Sequence, residues 1–119
     1  MTAATLTGVF KVQQDAEIRK LATGDPVVTL QLTYAYGGRQ PEGHRQTQWV
    51  EAGLWGSRAT KLAPRLVAHS LIFAVIEEGH VEAYTNASGA TGHKLVGRLG
   101  RVDVIADPMM TGLNRPRRA

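Results

Sequence analysis

The chain has 119 residues, of which 43% are apolar and 20% charged, with a formal net charge of +4 and no cysteine. That length allows one domain with a single core. The missing cysteine excludes disulfides and thiolate metal sites, and no apolar run reaches the length of a membrane span.

The N-terminal "MTAATLTGVFK" has neither a charged start nor an apolar secretion core, so a cytoplasmic location is expected. "TLTGVFKVQ" then reads as a strand with Leu6, Gly8, Phe10 and Val12 on or near one parity. Extended character continues through "DAEIRKLATGDP" to a turn at Thr23-Gly24-Asp25-Pro26. Gly8 and the Gln13-Gln14-Asp15 stretch are places where this first strand can bulge or bend.

In "VVTLQLTYAY", Val28, Leu30 and Leu32 alternate with Thr29, Gln31 and Thr33, the pattern of a half-buried strand that ends at Tyr34 and Tyr36. "GGRQPEGHRQ" follows, with no apolar anchor, and is expected to be a mobile loop. "TQWVEAGLWG" is the next strand. "SRATKLAPRLVAH" is the one convincing helix, with Ser57 able to cap it, Leu62 and Leu66 on its apolar stripe, and Pro64 limiting its length. "SLIFAVIEEGHVEAYT" and "HKLVGRLGRVDVIA" are long strands joined by a hairpin loop at "NASGATG", and Gly97 and Gly100 suit tight curvature in the second.

Five strands with one short helix between the third and fourth is the order of the OB-fold, a small all-β Greek-key barrel. Residues 1–106 form this domain. Residues 107–119, which hold Arg115, Arg117 and Arg118, are expected to be a short, basic, flexible tail.

The strand with both tryptophans sharpens the functional question. Val50, Ala52 and Leu54 point one way, whereas Trp49, Glu51, Gly53 and Trp55 point the other. If the aliphatic row fills the barrel, the tryptophans project outward, where a flat ligand can stack on them. Nucleobases are such ligands, at about 1–3 kcal/mol per base and with no demand on sequence. Tyr34 and Tyr36 flank this strand in the sequence. Candidate phosphate contacts are Arg39 and Arg45 before the strand, Arg58 and Lys61 after it, Lys94 on the last strand, and Lys11, Arg19 and Lys20 on the first.

Enzyme chemistry has little support. His44, His69, His80 and His93 show no paired metal-ligand spacing, and the adjacent Glu77 and Glu78 fall on opposite strand faces. "GATGHK" lacks the spacing of a phosphate loop. The chain reads as a binding protein that needs no metal or cofactor.

"TQWVEAGLWGSRATKLA" resembles the third strand and helix start of bacterial single-stranded DNA-binding proteins. "DAEIRKLATGDPVVTLQLTYAY" is similar to their first hairpin, and "EEGHVEAY" with "SGATGHKLVGRLGRVDVI" to their fourth and fifth strands. The resemblance covers roughly residues 5–106. It implies base stacking on Trp49, Trp55 and Tyr36, with Tyr84 standing in for a family aromatic near Asn86, and a homotetramer, a dimer being the alternative. Its basic residue after the turn glycine is displaced here, with Ser57 in that place and Arg58 next. The family's acidic tip is replaced by "NRPRRA", so tip-mediated recruitment of repair enzymes is not expected. The implied role is in replication, recombination, repair or mobile-element maintenance. A primosome-type protein adaptor and a single-stranded RNA binder are the alternatives.

Overall fold

A computed structural model describes residues 2–38 and 45–108. Arg39, most of the loop expected to be mobile, and residues 109–119 of the expected basic tail lie outside the described residues. Six strands and one short helix follow in chain order: β1 (Leu6–Val12), β2 (Glu17–Lys20), β3 (Pro26–Tyr36), β4 (Gln46–Trp55), α1 (Ser57–Leu62), β5 (Leu71–Thr85) and β6 (Thr91–Ala106).

The sheet order is β1-β5-β6-β4-β3-β2, and a further β1–β3 pairing closes it into a barrel-like ring. The expectation of five strands is corrected to six because the first one breaks. β1 pairs with β3 at Lys11–Thr33 and Val12–Leu32, and β2 resumes on the same strand at Glu17–Thr29. Between them Gln13 N–H still donates to Gln31 O at 2.9 Å, and residues 14–16 then leave the ladder and clamp the segment after the helix. Ala16 N–H donates to Leu66 O at 2.9 Å, and Asp15 Oδ1 accepts from Ala68 N–H at 2.8 Å. The break falls at the stretch expected to bulge.

Alternation fills the barrel as the sequence dictates. Phe10, Val12, Val28, Leu30, Leu32, Val50, Ala52, Leu54, Ile72, Ala74, Ile76 and Leu99 form one buried cluster. Ala59, Ala63 and Leu66, from the helix and the 3-10 turn after it, join the same core. Ser57 does not cap the helix: it is the first helical residue, and Gly56 takes the cap position with φ 74° and no side-chain bond. A left-handed backbone there suits glycine alone among common residues. Pro64 is the second residue of the 3-10 turn that follows the helix, a position where its missing N–H costs nothing.

β5 and β6 are half barrel and half arm. Their register shifts near Ala74–Ile76 and Glu77–His80, and beyond that point β5 is exposed on both faces. Gly97 lets the strands approach closely at this bend, since a Cβ there would lie 2.9 Å from Glu77 O. The arm closes in the expected hairpin loop, where Asn86 Oδ1 accepts from Ser88 and Ala90 N–H and Gly89 adopts φ 86°. Among the described residues, no helix is long and apolar enough to cross a membrane.

Candidate nucleic-acid interface

The ladder registers arrange the outer face into rows. At one end Arg19 on β2, Val27 on β3 and Trp55 on β4 lie side by side. The next row runs Glu17, Thr29, Gly53, Arg98 and Glu77. A third joins Gln31, Glu51, Val96 and His80. The last described row is Lys11, Thr33 and Trp49. Both tryptophans therefore stand on one face, six residues and about 20 Å apart along β4. Each has a basic residue two strands away, at about 10 Å.

The rings are open to solvent, Trp49 at 51% and Trp55 at 47%. Trp55 leans back along its own strand: a Cβ built on Gly53 would lie 2.6 Å from its Cη2. The glycine is thus a shelf on which the indole rests, one ring face against backbone and the other free. Tyr84 repeats the device on the arm, its ring covering Gly92 on the paired strand, and it is 44% exposed. Lys94 Nζ stands 5.9 Å from the Tyr84 ring centroid, within cation–π range.

Charges in the middle of the face are paired. Lys94 donates to Glu51 Oε2 at 3.1 Å, and Gln31 Nε2 donates to Glu51 Oε1 at 3.2 Å. Arg98 donates to Glu77 Oε2 at 2.8 Å, with Glu78 at 3.8 Å. His80 Nε2 lies 2.9 Å from Glu82 Oε2, and its Nδ1 lies 2.7 Å from Glu78 O. That carbonyl and that carboxylate raise the His80 pKa above its ordinary 6.5. Glu51, Glu78, His80, Glu82 and Arg98, with Thr29, Gly53 and Trp55, line a shallow groove of about 290 Å³.

Several expected site residues stand elsewhere. Tyr34 and Tyr36 share the parity of Val28, Leu30 and Leu32, opposite to the tryptophans. Tyr34 accordingly packs edge-on against Phe10, with centroids 5.7 Å apart, and belongs to the core margin. Tyr36 is 47% exposed but off the tryptophan rows. Arg58 is drawn to the β6 backbone, donating to Leu99 O and Gly100 O, so it braces the helix start. Arg45 donates to Ala35 O at 3.2 Å, at the base of the β3–β4 connection. Lys61 is exposed in the last turn of α1. Lys20 is exposed beside Pro26, one position off the row of Arg19 and Trp55.

The sequence reading missed the cluster around Glu51, which needs β3 and β6 to be placed on either side of β4. The alternation of Lys94, Val96 and Arg98 was the available signal. Among the described residues, no group of three or more His, Asp or Glu is placed to hold a metal ion. No family model matches the chain, and no curated protein matches it significantly.

Proposed function

We propose that this barrel is an OB-fold that binds single-stranded DNA with little dependence on sequence. Bases stack on Trp49 and Trp55, and on Tyr84 where the strand reaches the arm. Lys11 and Arg19 take the phosphates at the margins, and Lys94 is a further cation on the track. The observation that carries this reading is the Trp55 indole, laid flat on Gly53 and 47% exposed, which presents a free π-face to solvent. The resemblance of residues 5–106 to bacterial single-stranded DNA-binding proteins supports it. The likeness also implies self-assembly, to a tetramer or a dimer, which lengthens a track that spans roughly 4–16 nucleotides in one OB domain.

The test is tryptophan fluorescence during titration with oligo-dT of increasing length at two salt concentrations. Strong quenching that saturates at a defined length and weakens with salt is expected, because phosphate neutralisation releases counterions. A folded protein with no quenching overturns the proposal.

One observation favours a second reading, a protein-interaction module. At the centre of the face Glu51, Glu77, Glu78 and Glu82 stand against Lys94, Arg98 and the titratable His80, so carboxylates outnumber cations there. A surface of that kind suits a polar protein partner. It predicts tryptophan variants that lose a partner and leave DNA affinity unchanged.

A further inference from the structure

Glu51 is an unusual group to find between two stacking platforms. It lies two residues from Trp49 on one side and two from Gly53 on the other, where the Trp55 ring rests. Strand rise therefore places it about 7 Å from each of those positions. Its side chain keeps 29% exposure, and both carboxylate oxygens are held, one by Gln31 and one by Lys94. Each oxygen retains a lone pair for a ligand, and a carboxylate can only accept. It is a fixed acceptor at the level where base edges would pass.

We infer that Glu51 is a specificity-determining residue that makes the platform favour bases with an exocyclic amino group, cytosine over thymine. The inference rests on the single-stranded DNA reading and adds a base preference to it. A carboxylate accepts well from cytosine N4. Thymine offers one Watson–Crick donor, N3–H, with a carbonyl oxygen on each side, and both oxygens repel the approaching carboxylate. Val96, opposite Glu51 on β6 and 8% exposed, supplies no competing donor. The Gln31 and Lys94 bonds fix the acceptor before the base arrives, so little ordering remains to be done on binding.

The experiment compares oligo-dC with oligo-dT of equal length, at neutral pH and one salt concentration, for the wild-type chain and Glu51→Gln. Glutamine keeps the size but both donates and accepts, so it matches either base. Releasing Lys94 should strengthen binding to both oligomers alike, leaving the affinity ratio as the readout. The dC-to-dT ratio is expected to fall about fivefold in the variant. A ligand-side change asks the same question of the unaltered protein. Oligomers of 2-pyrimidinone, which lacks the amino group, should bind the wild type about fivefold more weakly than dC. An unchanged ratio in Glu51→Gln, or 2-pyrimidinone binding equal to dC, overturns the inference and leaves DNA binding intact. Failure of both oligo-dC and oligo-dT to quench tryptophan overturns the binding reading itself.

Discussion

Two outer walls of the same barrel carry different chemistry. On the β3–β4–β6 wall, Trp55 lies over Gly53, Trp49 is half exposed, and charges are paired around Glu51. On the β1–β5–β6 wall, Val9 and Ile105 are 52% and 47% exposed, with Leu71, Phe73 and Val75 half-buried beside them. There the exposed aliphatic groups have no planar face to offer, and the Phe73 ring is already covered by Arg101 at 5.8 Å. Flat rings on a glycine shelf suit a planar ligand. Branched aliphatic groups suit close packing against another such surface, for which a second copy of the chain is the simplest source.

The comparison breaks first at the tryptophans. The double variant Trp49→Ala, Trp55→Ala is expected to lose roughly 30-fold or more in affinity for single-stranded DNA, measured by anisotropy, at about 1–3 kcal/mol per stacked base. Self-association of that variant should not change. The converse substitution is Val9→Asp on the other wall. It should weaken self-association roughly tenfold or more in sedimentation, because a charge would be buried against an apolar partner. Quenching by a short oligomer should survive it.

Gly53→Val sharpens the point on the aromatic wall. The added Cβ would meet the Trp55 ring at 2.6 Å, so the indole must leave its shelf. Affinity should fall about five- to tenfold by the loss of one stacking site. The thermal midpoint should hold, since valine suits an outward strand position. A variant that binds DNA like the wild type would mean that the shelf has no part in binding.

The smallest effect concerns His80. Its folded pKa lies above the ordinary 6.5, raised by the Glu78 carbonyl and the Glu82 carboxylate. The stability this adds is fully present below pH 6.5 and is lost as pH rises through the raised folded value. Acidification through that value also adds one positive charge to the groove, so DNA affinity should rise a few-fold. His80→Gln should flatten that part of the pH profile, and an NMR titration of the His80 ring checks the shift directly.

Much of the barrel was legible because the alternation of β3 and β4 is unbroken. Val28, Leu30 and Leu32 against Val50, Ala52 and Leu54 define an inner face before any pairing is known. The same alternation, carried two steps further, puts Tyr34 and Tyr36 in phase with the core. For Tyr34, nearness in sequence to the tryptophan strand suggested a place in the site, whereas parity puts it at the core margin. The fate of Arg58 was beyond reach, because the carbonyls that hold it belong to a strand 41 and 42 residues away. The pairing of Glu51 with Lys94 was hidden for the same reason, being set by tertiary placement across 43 residues.

Closure of the barrel also governs the order in which the chain can finish folding. β4 gains its second neighbour through parallel pairing with β6, where Val50 meets Leu95 and Gly53 meets Arg98. During synthesis the edge of β4 must therefore wait, with its tryptophans, until the last strand has emerged. Such non-local pairing is slow, on the order of milliseconds to seconds in all-β domains. Any nascent chain halted before residue 95 presents an unpaired strand with one aliphatic face and one aromatic face, the sort of edge that molecular chaperones retain.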